Sequence, residues 1–386
     1  MYKKEVLLLH KRGKLEVKSK IPLKTRKTLS LAYTPGAAEV VKEISKNKNK
    51  VYSYTLKRNS VAIITDGSSV LGMGNVGAEA AIPVMEGKAI IFKEFANIDA
   101  FPICLKTQIP KEIISIVKNI SPVFGGINLE DISAPKCFEI EKKLQNIGIP
   151  VMHDDQHGTA IVVLAALINA CKITSKKFED LKVVVAGAGA AGTAISRLLV
   201  CADQHNEICK STGIIIVCDS LGAIYKGRKN LSPHKKQLAK ITNRENFTGN
   251  LEEALNKADA FIGVSRGNIL KENMIKKMNK KPIIFALANP IPEISPRKAK
   301  KAGAAIIATG RSDFPNQVNN ALAFPGIFRG ALDSHAKKIT SKMKLSAAYA
   351  LAKTIKHPTR NKILPSIFDK NIVKNIAKKV MNQSQK

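Results

Sequence analysis

The segment "LKVVVAGAGAAGTAISRLL", residues 181–199, constrains this chain more than any other stretch. An apolar run short enough for a buried strand leads into Gly187-x-Gly189-x-x-Gly192, and a helix-period pattern follows at once. The three glycines suit a tight turn, a close approach of backbone to a pyrophosphate and close packing of helix on strand, with the phosphates at the helix N-terminus. Ala190 and Ala191 keep the turn small. A second apolar run, "GIIIVCDS", ends in Asp219, placed where an acid can accept hydrogen bonds from adenosine ribose hydroxyls. An aspartate there favours NAD, because it would repel the extra phosphate of NADP; NADP stays open, as does the plainer reading of a strand-end aspartate capping a helix. Such a unit requires a parallel α/β sheet.

The rest of the chain agrees with that class. Short apolar runs alternate with helical patterns from residue 61 onward: "SVAIITDG", "AFPICL", "PVFGGINLED" and "IPVMHDD" read as strands in the first half. "AFIGVS", "PIIFALANP" and "AAIIATG" join the two strands above in the second half. "GAEAAIPVMEGKAIIFKEF" and "PKCFEIEKKLQNIG" carry the longer period of helices. Because 386 residues exceed the ~250–300 that one core supports, two domains are expected. We place them at residues 1–157 and 158–386, joined by the apolar helix "GTAIVVLAALINACKI".

Other classes are disfavoured. No apolar run reaches the ~18 residues of a membrane span, and the patch in "MYKKEVLLLHKRGK" is too short for a secretory core, so no membrane partner is expected and a cytoplasmic location is the default. Six cysteines without a C-x-x-C pair read as reduced, mostly buried thiols. The net charge of +33 raises the possibility of a protein that binds nucleic acid or an anionic surface. Against it, the basic residues are mostly lysines, spread through helices and loops, with little aromatic interleaving for base stacking. A solvated surface that attracts anionic substrates is the simpler reading, and no specific nucleic-acid partner is expected.

Parallel sheets bind ligands outside the carboxyl ends of their strands. Those ends carry Asp66, Glu130 with Asp131, Asp154 with Asp155, and Asn289. Glu130, Asp131 and one of the two later aspartates would give three hard oxygen ligands suited to Mg²⁺ or Mn²⁺. Helix capping is the plainer use of such acids, but four carboxylates exceed it. A zinc site through His153 and His157 is less favoured, because no cysteine lies nearby and acids outnumber nitrogens.

In these segments the chain resembles malic enzymes of the short bacterial type, from about residue 20 to 370. The resemblance is carried by "YTPGAAEV", "TDGSSVLGMGNVG", "PVMEGKAIIFKEFANIDAFPI", "LEDISAPKCFEIE", "MHDDQHGTAIV", "VVAGAGAAG", "FALANPIPEI" and "GRSDFPNQVNNALAFPGIFRGALD". It implies an N-terminal α/β malate-binding domain followed by a Rossmann-like doubly wound NAD-binding domain, and oxidative decarboxylation of (S)-malate to pyruvate and CO₂. By motif it implies Tyr33 as general acid, Lys88 as general base supported by Asp154, and Glu130, Asp131 and Asp155 as ligands of a divalent metal. Asn289, Asn319 and Asn320 match contacts to substrate and nicotinamide. A homodimer or higher homo-oligomer is usual for the family.

If "VMHDDQ" is a strand end, its alternation sends Asp154 toward Lys88 and Asp155 toward the metal. Two departures stand out. Ser69 occupies the place where longer members carry a carboxylate-clamping arginine, and Arg266 lies where short members usually show a small residue and a proline. The closest rival function is decarboxylation of oxaloacetate, or oxidation of another 2-hydroxy diacid, on the same fold.

Overall fold

The computed structural model describes residues 3–202 and 209–384. Two parallel-strand sheets organise it. The first contains β1 (Ser60–Thr65), β2 (Asp99–Cys104), β3 (Gly126–Leu129) and β4 (Val151–His153) in the order β2-β1-β3-β4. All its pairs are parallel, so the C-terminal ends of β1, β3 and β4 lie side by side. That one edge therefore collects Asp66, Glu130, Asp131 and the residues after His153.

The second sheet contains β5 (Lys182–Ala186), β6 (Ile214–Asp219), β7 (Gly222–Ala223), β8 (Ala260–Gly263), β9 (Ile283–Ala286) and β10 (Ile306–Thr309). Its order is β10-β9-β8-β5-β6-β7, parallel except for the β6–β7 hairpin. From β5 the chain moves to β6 on one side, then returns to β8 on the other, so the glycine turn after β5 sits where the winding reverses. Such a switch point leaves an open crevice for a ligand. Every strand anticipated from the apolar runs is present.

Three expectations need correction. Asp154 and Asp155 do not end β4: they are the first turn of the Asp154–Thr174 helix, where carboxylates also favour the positive end of the helix dipole. That helix is 21 residues long and apolar enough to cross a membrane by length and composition, although the apolar runs seemed too short for one; 72% of its apolar window is buried inside the protein. Its apolar character serves a core that joins side chains of both sheets. Cys201 and Cys209 form a disulfide, while Cys137, Cys171 and Cys218 are buried thiols and Cys104 is half-buried.

Candidate active site

The Gly77–Ala96 helix buries Ala81, Met85, Lys88, Phe92 and Ala96, spaced by three or four residues along one face. Lys88 therefore points into the protein with the apolar side chains, 7% exposed. Its ammonium ion lies 2.5 Å from Asp154 Oδ2, contacts Glu130 Oε1, and sits 4.4 Å from the centroid of the Phe324 ring. Burial lowers the lysine pKa, but Asp154, Glu130 and Asp155 outweigh it and hold the group above its ordinary value.

The carboxylates respond in the opposite sense. Burial raises Glu130 to about 7, with Lys88 opposing, and raises Asp154 and Asp155 to about 6. Burial, followed by repulsion from Asp155 and Glu130, brings Asp131 to about 9. Oxygens of Glu130, Asp131 and Asp155 lie within 4.8 Å of one another, and Asp131 Oδ2 is buried without a hydrogen-bond partner. Asp131 also holds a left-handed backbone, φ 53°, unusual outside glycine and frequent at functional sites. Three converging carboxylates that repel one another, one with an orphaned oxygen, form a donor set that fits a hard divalent cation. Asn128 Nδ2 donates to Glu130 Oε2 at 2.9 Å, and the Asp131 N–H donates to Asp155 Oδ2 at 2.8 Å, fixing two of the three acids.

The histidines do other work. His153 is fully buried and 3.3 Å from Asp155 Oδ2, but burial lowers its pKa to about 4, so this contact is not an ion pair at neutral pH. His157 Nε2 meets the Glu141 carboxylate at 2.9 Å. Sequence reasoning missed Glu141, which also accepts from the His153 N–H at 3.0 Å and thereby ties the end of β4 to the Lys136–Leu144 helix.

Around the glycine turn, each glycine has a different cause. A Cβ on Gly187 would come 2.6 Å from Val264 O, and one on Gly192 would come 1.9 Å from Gly187 O. The protein's own packing demands both. At Gly189 a Cβ would meet nothing within 4 Å, and φ is −82°, so neither packing nor backbone calls for glycine. The open space at the start of the Ala190–Leu199 helix leaves room for a group to approach the backbone closely there.

Asn289 lies where loops of both halves meet: a Cβ on Gly72 would stand 2.1 Å from Asn289 O, and one on Gly310 would stand 3.0 Å from Asn289 Nδ2. Glu293, also missed, is fully buried and accepts from the N–H groups of Ser265 and Ala288, clamping the loops after β8 and β9 together. Asn320 packs beside Gly158 of the long helix, whereas the Asn319 side chain accepts from the Ala321 N–H. Ser69 is exposed beside the acids, its N–H donating to Asp131 O at 2.9 Å. Arg266 is exposed on the loop after β8.

Tyr33 stands apart from Lys88's buried setting. It is 71% exposed at the C-terminal cap of the Arg26–Ala32 helix, which buries none of its residues. A cavity of about 950 Å³ opens between the Lys136–Leu144, Ala190–Leu199 and Pro233–Ile241 helices, and none of Lys88, Glu130, Asp131 or Asp155 lines it. Side-chain chemistry, rather than volume, marks the site.

An acid-rich centre at one sheet edge, beside a glycine turn at the switch point of a second sheet, defines a two-sheet α/β dinucleotide-dependent oxidoreductase. The malic enzyme N-terminal domain matches residues 12–112 and 106–145, and the malic enzyme NAD binding domain matches residues 156–385. An NAD-dependent malic enzyme of Geobacillus stearothermophilus is 52% identical, over 97% of this chain and 77% of its own length. A bifunctional malic/malolactic enzyme of Bacillus subtilis is also 52% identical, over 98% and 92%. An NADP-dependent malic enzyme of Escherichia coli is 47% identical over 92% of this chain and 46% of its own. Among solved structures, the NAD-dependent malic enzyme of Thermotoga maritima superposes with a TM-score of 0.92 at 50% identity, covering 97% of this chain and 98% of that one. The Pyrococcus horikoshii malic enzyme gives 0.94 at 46%, covering 100% and 91%. The chain belongs to the malic enzyme family, and its cofactor is a nicotinamide dinucleotide.

Proposed function

We propose that this protein converts (S)-malate to pyruvate and CO₂ while reducing NAD(P), with residues 1–157 handling substrate and metal and residues 158–386 the nucleotide. The observation that carries the proposal is Lys88, buried between Asp154 and Glu130 at the edge of a three-carboxylate cluster. Glu130, Asp131 and Asp155 would hold a divalent Mg²⁺ or Mn²⁺, which when bound would supply Lewis acidity toward the substrate, and the nicotinamide would supply the hydride acceptor. Every other task falls to side chains.

Lys88 takes the proton of the C2 hydroxyl, which requires a neutral amine. The acids around it hold it protonated, so neutralising Glu130 and Asp155 would remove part of what retains its proton. Asp154, 2.5 Å away and raised to about 6, orients the amine and can take up the released proton. Asn289 and Asn320, with Asn319 beside them, position substrate and nicotinamide. Tyr33 protonates C3 after CO₂ leaves.

A homodimer or larger homo-oligomer accompanies this reading. The helices Lys3–His10, Arg26–Ala32 and Ala37–Lys46 bury no residue, and Leu8, Leu9, Leu31 and Val41 are each at least 65% exposed. Apolar surface of this extent is the usual mark of an interface, and Tyr33 lies within it. The decisive assay is formation of pyruvate and reduced nucleotide from (S)-malate with NAD or NADP, with and without Mn²⁺. Absence of product under every condition overturns the reading.

A further inference from the structure

The cavity of about 950 Å³ beside the Lys136–Leu144 and Ala190–Leu199 helices has the size of a ligand pocket, ~300–1,000 Å³, yet no residue assigned to malate, metal or nucleotide lines it. Its walls combine two chemistries. Ala160 and Ile161 of the long helix, with Ala194 and Leu198 of the helix after the glycine turn, supply apolar surface. Phe138 and His234, one from each half of the chain, add two rings with centroids 5.0 Å apart, tilted by 36°. Among the charged side chains, Lys136, Lys142, Arg197 and Lys344 outnumber Glu139 and Glu141. Lys136 is held by Asp66 at 2.5 Å, whereas Lys142 is exposed and makes no ion pair among the described residues.

Two observations point to an occupant. Thr193 lines the cavity and is 7% exposed, and its hydroxyl is buried without a hydrogen-bond partner, a cost that a bound polar group removes. Glu141, also in the lining, gathers three donors: His157 Nε2 at 2.9 Å, the His153 N–H at 3.0 Å and Gln156 Nε2 at 3.1 Å. An amide nitrogen only donates, so Gln156 Nε2, 3.0 Å from His153 Nδ1, puts the proton of the neutral ring on Nε2. That nitrogen faces Asp155 Oδ2 at 3.3 Å. A continuous run of side chains therefore leads from the cavity to a carboxylate of the acid cluster.

We propose that this cavity is a regulatory site for an organic anion with an apolar or aromatic body, and that its occupation weakens metal binding at Glu130, Asp131 and Asp155. The coupling rests on the reading of those three acids as a metal site. The body packs against Leu198 and Ile161, Lys142 draws the anionic head, and the Thr193 hydroxyl gains a partner. An anion beside His157 competes with Glu141 for that ring and repels the carboxylate. Glu141 then loosens its hold on the His153 N–H, and with it on the end of β4 directly before Asp155.

The probe is 8-anilinonaphthalene-1-sulfonate, an aromatic sulfonate that fluoresces in apolar surroundings, titrated onto the whole protein with NAD⁺ saturating so that the dinucleotide site is filled. Its dissociation constant should rise about tenfold or more in Leu198→Trp, which fills the space, and about threefold in Lys142→Glu, which reverses a charge. Circular dichroism shows whether Leu198→Trp folds; Lys142→Glu decides if it does not. Free Mn²⁺, read by electron paramagnetic resonance, should report metal binding about fivefold weaker with saturating dye, and Mn²⁺ should weaken dye binding by the same factor. Dye affinity unchanged in Lys142→Glu and in folded Leu198→Trp, or Mn²⁺ affinity unchanged by saturating dye, overturns the proposal. No Mn²⁺ binding to the dye-free protein would sink the metal reading and the coupling with it, while the dye titration still reads the cavity. Neither measurement needs turnover, so failure of the malate reading is separately visible as absence of pyruvate.

Discussion

Lys88 Nζ lies 2.5 Å from Asp154 Oδ2, and the two residues come from different helices that meet at one end of the first sheet. Sixty-six positions separate them in sequence. The Lys88 ammonium also meets the ring of Phe324, a residue of the second half, so side chains from both halves of the chain enclose it.

Removing the amine should stop proton abstraction while leaving nucleotide binding in place. Lys88→Met, apolar and similar in length, is expected to lower kcat for malate oxidation by about 10²–10⁴-fold, the usual worth of a positioned general base. Steady-state kinetics, with NADH binding followed by fluorescence, check both halves of the statement.

Gly158 follows Asp154 by one helical turn, and a Cβ there would stand 1.9 Å from Asp154 Oδ1 and 3.1 Å from Asn320 Cβ. Gly158→Ala must therefore displace the aspartate from Lys88. We expect a loss of about 1–3 kcal/mol in stability from the overpacking, and a kcat about tenfold or more lower, since the lysine loses its orienting partner. An unchanged kcat would show that the Lys88–Asp154 contact is dispensable.

The acid cluster predicts a pH dependence with a definite sign. Glu130 at about 7 and Asp154 and Asp155 at about 6 have folded-state values raised above those of the unfolded chain. Raised carboxyls contribute stability that is complete below the unfolded value, near ~4, and that disappears as pH rises through the folded value. With Asp131 raised further, to about 9, the metal-free protein should therefore lose thermal stability progressively between about pH 4 and 9. Mn²⁺ at pH 8 should restore it, and should not do so in Asp131→Asn. Differential scanning calorimetry across this range reads the effect directly.

Tyr33 is 71% exposed on the chain and Tyr33→Phe keeps its ring while removing one hydroxyl, so the substitution should move Tm by no more than about 1–2 °C. Its effect should fall on catalysis, with kcat lower by about 10²-fold if it is the acid at C3. A variant with full activity would remove Tyr33 from the mechanism.

Much of this protein is legible in its residues alone. The alternation of apolar runs and helical periods determined both sheets, because strand and helix are local consequences of side-chain spacing. The Gly187–Gly192 turn determined the nucleotide end for the same reason. The burial of Lys88 has a local cause that was not read from the sequence: its spacing from Ala81, Met85 and Phe92 places it on the apolar face of its helix.

What tertiary structure decided is where charges meet. Asp154 and Asp155 diverge as successive residues of a helix start, about 100° apart, rather than as alternating strand residues, because β4 ends at His153. Arg228 and Lys235 carry no local mark of their shared partner; only the fold of the segment after β7 brings both onto Asp219. Spacing along a chain encodes which face a residue occupies, but a pairing across nine, sixteen or sixty-six residues exists only once the backbone between them has closed.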